Sequence, residues 1–124
     1  MREDRTVTVA TLDHGPVTLP EPSWCRGHDG EPVGFRDHVV HHGPALALTV
    51  PSRCGPVEWL YARVDEAPFR DPGAGRGVHA AVEMGGSSER YGPEELRRLA
   101  DALAAQLERV RRFADDLEAL RAAG

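Results

Sequence analysis

Hydrophobic and polar positions along the chain change rhythm twice, and those changes define the expected elements. Thr6-Val7-Thr8-Val9-Ala10-Thr11-Leu12 alternates β-branched and small residues, a first strand by its period of two. Asp13-His14-Gly15-Pro16 then turns the chain. A second strand follows at Ala45-Leu46-Ala47-Leu48-Thr49-Val50, with Leu46, Leu48 and Val50 on one face. After the turn Pro51–Pro56, Val57 to Asp65 reads as a third strand with large side chains on both faces, a short helix being the alternative. Residues 66–77 form a Pro/Gly-rich connection, expected to be mobile around Asp71–Gly75. Val78 to Met84 is a fourth strand, with Val78, Ala80, Val82 and Met84 facing together.

The period then lengthens. Leu96, Leu99, Leu103, Leu107, Val110, Ala114, Leu117 and Leu120 recur every three or four residues, which predicts one long helix from Pro93 to Ala122. Pro93 suits its first position, and Glu94 and Glu95 favour its positive end. Glu94 with Arg98 and Glu108 with Arg112 are expected as pairs one turn apart. At 1.5 Å per residue the helix extends about 45 Å, whereas six-residue strands cover roughly 20 Å. Its distal half, with Val110, Phe113, Leu117 and Leu120, therefore bends or frays, or finds a partner. The partner expected is a second copy, in a homodimer through an antiparallel helix pair.

Between the first two strands, residues 16–44 hold five of the ten prolines, a density that excludes a helix. A structureless loop of that length inside a compact domain is unusual, so something must tie it down. Cys25 and four of the six histidines (His28, His38, His41 and His42) fall within it. Cys25 and His28 make a C-x2-H pair, and His38 and His41 an H-x2-H pair. Two short-spaced pairs of thiolate and imidazole donors are how many structural zinc sites are assembled. The expected ligand set is Cys25, His28, His38 and His41. His42 is an alternate for His41, and His14 and Cys54 are alternates for the fourth position.

Composition narrows the function classes. The 124 residues are the length of a single domain, divided into a sheet and metal-loop region over 1–92 and the helix over 93–122. A net charge of −5 with no basic block argues against a protein built to neutralise phosphates. No apolar run is long enough to span a bilayer, and nothing behind Met1–Arg5 resembles a signal peptide, so a cytoplasmic location is expected. In that reducing compartment a Cys25–Cys54 disulfide is disfavoured. Every basic residue is arginine, and isoleucine and asparagine are missing, which points to a GC-rich, actinobacterial source.

Catalytic motifs are scarce. The sequence has no H-E-x-x-H pair and no serine in a nucleophile elbow, and Gly85-Gly86-Ser87-Ser88 opens a loop that lacks a phosphate-binding pattern. Asp29, Glu31 and Asp37 are the carboxylates near enough to serve as a base. The expected function is a non-catalytic, zinc-stabilised interaction or regulatory module. A zinc-dependent hydrolase using the same cluster is the alternative, and a nucleic-acid-binding regulator carrying Arg26, Arg36 and Arg53 on one surface is third.

The run Asp13-His14-Gly15-Pro16-Val17-Thr18-Leu19-Pro20-Glu21-Pro22-Ser23-Trp24-Cys25 with His28 resembles the DUF6907 family of small actinobacterial proteins of unknown function, abundant in Streptomyces. His41 with Gly43-Pro44, the Ala67-Pro68-Phe69 segment and the Leu-Ala-Asp-Ala-Leu helix extend the likeness over nearly the whole chain. The resemblance implies that Cys25, His28 and His41 are the shared site residues, with His14 a further candidate. Members of that family often carry aspartate where His38 stands, and aspartate can also bind zinc. It brings no established activity, substrate or partner. The fold expected is α+β: a mainly antiparallel sheet of about four strands packed against one long C-terminal helix, with a Cys/His-rich loop.

Overall fold

The computed structural model describes residues 5–70 and 77–124. Two compact units make up the chain, one ending at Arg90 and the other beginning at Tyr91. The expectation of mobility around Asp71–Gly75 lies outside the described residues.

The first unit is built from two antiparallel sheets. β1 (Arg5–Thr11) and β2 (Gly15–Glu21) form a hairpin in which Thr11 faces Gly15 and Arg5 faces Glu21. Gly15, at φ +62°, supplies the left-handed residue that closes the turn. Thr11 Oγ1 donates to the Gly15 carbonyl at 2.7 Å and accepts from the His14 N–H at 3.0 Å. β2 corrects the expectation of a continuous loop over 16–44. Its prolines, Pro16 and Pro20, share one parity along the strand. Both missing N–H donors therefore fall on the same edge, which a two-stranded sheet leaves open. Thr8 and Thr18, paired between them, hydrogen-bond across the strands at 2.9 Å.

The second sheet runs β3-β4-β5-β6, with β3 (His41–Val50), β4 (Val57–Glu66), β5 (His79–Met84) and β6 (Ser87–Tyr91). Val57–Glu66 is a strand throughout, which settles the alternative of a helix there. β3 starts four residues earlier than its apolar run, because His41 and His42 pair with Glu66 and Asp65 before a bulge at Gly43-Pro44. A bulge is where a strand accepts a proline without losing a ladder bond. β6 was not legible as a strand from its polar sequence. Gly85 (φ +60°) and Gly86 (φ +83°) are the two left-handed residues of a tight hairpin turn, so Ser87 and Ser88 begin β6 and do not continue a loop.

The apolar core of this unit is small: Leu19, Cys25, Val39, Leu60, Ala67 and Val82 are buried. Leu60 and Val82 come from the face of β4 and β5 where Ala62 pairs with Val82 and Leu60 with Met84. Leu46 and Val50, expected on one face with Leu48, are about half exposed. A second register shift, between Leu48 and Thr49, separates Val50 from the register of Leu46 and Leu48. Four polar residues, Thr11, Glu21, His41 and Asp65, are buried alongside the apolar ones.

The second unit is the helix α1 (Pro93–Ala123), within one residue of its expected span. The Gly92 N–H donates to Glu95 Oε1 at 3.2 Å, which satisfies a donor that the helix start leaves free. The ion pairs form at i,i+3 (Glu94–Arg97 at 2.8 Å, Glu108–Arg111 at 4.0 Å) and not with Arg98 and Arg112 as expected. No residue of α1 is buried. Among the described residues no helix is long and apolar enough to cross a membrane.

Candidate metal centre

The segment joining the two sheets carries the site. β2 ends at Glu21, a turn closed by the Cys25 N–H on the Pro22 carbonyl (3.0 Å) follows, and the chain reaches β3 at His41. The Arg26 N–H donates to the His42 carbonyl at 2.8 Å, which lays the Cys25 segment along the start of β3. Farther along, the Leu12 N–H bonds the Gly34 carbonyl and the Arg36 N–H bonds Asp13 Oδ1, both at 2.8 Å. The Pro/Gly-rich stretch is thus tied down by β2 and by these bonds.

That path brings together Glu21, Cys25, His28 and His41, each offering one donor atom, all within 4.8 Å of one another. The set could hold a metal ion. His28 Nε2 lies 3.7 Å from Cys25 Sγ and 3.1 Å from Glu21 Oε1. Metal–donor bonds of about 2.0–2.3 Å at tetrahedral angles put donors about 3.3–3.6 Å apart, and both separations fall within about 0.2 Å of that range. The site is largely screened from solvent: the Glu21 and His28 side chains are each 7% exposed and His41 is 1% exposed.

Two atoms make the case specific. Glu21 Oε1 and His41 Nδ1 are buried without a well-formed hydrogen bond among the described residues, Oε1 having only the His28 ring edge at 3.1 Å. Burying such acceptors unpaired costs about 1–3 kcal/mol each, a cost that a bound cation removes. The other carboxylate oxygen of Glu21 is held by Arg5 Nε at 3.3 Å, leaving Oε1 turned inward. The far side of His28 is fixed in the same way, with Nδ1 3.2 Å from Glu31 Oε2. A carboxylate behind a metal-binding imidazole sets its tautomer and strengthens it as a donor.

Burial and the neighbouring Glu21 carboxylate push the Cys25 thiol up, while the Gly27 N–H, donating to Sγ at 3.4 Å, works the other way. Burial, then the nearby His28, holds His41 below the ordinary histidine range, so its ring is neutral and has a lone pair to give. A cation in the cluster would reverse the balance at Cys25 and take the thiolate.

The remaining candidates lie elsewhere. His38 belongs to a single-turn 3-10 helix (Arg36–His38), its side chain 63% exposed and 3.7 Å from Asp37. Its neighbour Val39 is buried, and the chain turns His38 outward there. The fourth member of the cluster is Glu21. His14 sits exposed in the first hairpin turn beside Asp13 at 3.0 Å. His42, next to His41 in an extended strand, points away from it and bonds Asp65 Oδ1 through Nδ1 at 2.8 Å. Cys54 is exposed, and both cysteines are free. Glu21 was missed because it looked like part of a loop. As a strand residue it shares the inward parity of Leu19, and a carboxylate on a buried face is a signal in itself.

Trp24 closes one side of the site. Its ring meets His41 edge-on at 6.2 Å between centroids, and it lies so close to Gly43 that a Cβ there would come within 2.7 Å of Trp24 Cε3.

A family profile described as a domain of unknown function (DUF6907) matches residues 6–119. The chain belongs to that family, and the match spans both sheets, the donor cluster and nearly all of α1. Searches of curated proteins and of solved structures each found no match.

Proposed function

We propose that this protein is a small zinc-stabilised interaction or regulatory module of the cytoplasm, without catalytic activity. The observation that carries the reading is the closed Glu21/Cys25/His28/His41 set with its unpaired buried acceptors. One thiolate, two imidazoles and one carboxylate suit zinc, and four protein donors leave no open position for substrate. The ion would join the last residue of β2 to the first of β3, stapling two sheets that share few buried apolar side chains. Its role is then to hold the fold, and the surface does the work.

The test is melting with and without a strong chelator. A structural ion predicts that chelation unfolds the first unit cooperatively and that zinc restores it. Unchanged melting of a metal-bearing protein would contradict the reading.

A zinc-dependent hydrolase is the second reading, favoured by one observation. A groove of about 500 Å³ reaches His28, Glu31 and His42, so a carboxylate and a second imidazole lie beside the cluster. In that case Glu21 would act as a base and not as a ligand. Glu21→Gln would then keep zinc and lose turnover, whereas the structural reading predicts loss of zinc.

A further inference from the structure

The helix α1 carries a stricter pattern than amphipathicity requires. Leu96, Leu99, Leu103, Gln106, Val110, Phe113, Leu117 and Leu120 are spaced alternately by three and four residues without a break. That is the seven-residue repeat of a coiled coil, with Leu96, Leu103, Val110 and Leu117 at one core position and Leu99, Gln106, Phe113 and Leu120 at the other. The outermost position is acidic up to the last repeat: Glu94, Asp101, Glu108 and Asp115, then Ala122. In the last repeats Val110, Phe113 and Leu120 are 63%, 70% and 72% exposed, and Leu117 49%. Sustained seven-residue periodicity is what a helix needs to keep one stripe facing another helix, since a straight helix drifts off it by about 20° per repeat.

We propose that α1 forms a parallel two-stranded coiled coil with α1 of a second copy of this chain. The inference deepens the reading of the protein as an interaction module and rests on that reading, but not on the metal site. Two features choose the partner and its direction. Gln106 is the one polar residue in the seam; its Oε1 accepts from Arg109 Nη1 at 3.0 Å, which leaves its NH₂ to donate across the seam. Only an in-register parallel copy sets it against an identical amide. The flanking positions agree: Asp116 of one chain comes beside Arg121 of the other, and no like charges meet. An antiparallel pair matching the same layers would set Gln106 against the partner's Val110 and bring the two Arg109 guanidiniums together. The proposal thus takes a parallel pair in place of the antiparallel one expected from the sequence.

The test uses the full chain with Cys54→Ser, comparing it with added Leu120→Cys or Phe113→Glu by sedimentation equilibrium and by cross-linking in a glutathione redox buffer. The proposal predicts a dimer, a Leu120→Cys disulfide between chains, and loss of the dimer in Phe113→Glu. The Trp24 and Trp59 signals should be unchanged, showing that the first unit stays folded. A monomer at the highest workable concentration, a trimer, or a dimer that resists the cross-link would overturn it. Zinc content, measured on the same samples, reports separately on the metal reading.

Discussion

Single residues decide whether the cluster is a metal site or an accident of packing. Glu21→Ala should abolish zinc binding, because Oε1 is the inward donor and Arg5 would be left facing an empty carboxylate position. Metal analysis of the purified variant checks this. Gly43→Ala tests the wall: its methyl would collide with Trp24 and approach Val64 Cβ at 3.2 Å. A displaced indole should cost about 1–3 kcal/mol in urea unfolding. His41 sets a pH dependence whose sign follows from its burial. Its folded-state proton affinity is below the ordinary value of 6.5, so the unfolded chain binds more protons as pH drops through that value. Metal-free protein should therefore lose stability as pH falls below about 6.5. Urea midpoints measured in chelator across that range should show the decline, and His41→Asn should flatten it.

Elements explain what could be read from the chain and what could not. α1 was legible almost to the residue, since 31 residues of unbroken period and a proline start leave little choice. The apolar strands β3, β4 and β5 were legible for the same reason. β2 and β6 were not: Gly-Pro-Val-Thr-Leu-Pro-Glu and Ser-Ser-Glu-Arg-Tyr carry too few β-branched and aromatic residues to outweigh their turn-like composition. Pairing with a neighbour makes them strands. Cys25 and His28 could be placed together from their spacing alone, whereas Glu21 became visible only once β2 gave it an inward face. The β5–β6 turn offers a clean check. Gly85→Asn should be nearly neutral, because asparagine tolerates the left-handed region, while Gly86→Val should cost about 1–2 kcal/mol. Thermal melts of the two variants side by side would show the difference.

The first unit combines a thin apolar core with a buried cluster of metal-type donors. The first unit buries six apolar residues among the described ones, while four polar groups share that interior. An ion shared by Glu21, Cys25, His28 and His41 would explain why so polar an interior persists, and why Glu31 is placed behind His28. Glu31→Gln should accordingly weaken zinc binding about 10–100-fold without abolishing it, as competition with a chromogenic chelator would show. The most direct measurement is zinc-edge X-ray absorption on the protein as purified, with the zinc-to-protein ratio determined on the same sample. The account predicts one zinc per chain in a four-coordinate shell, with one sulfur at about 2.3 Å and three nitrogen or oxygen donors at about 2.0–2.2 Å. A chain without zinc, or a zinc shell without sulfur, would contradict it.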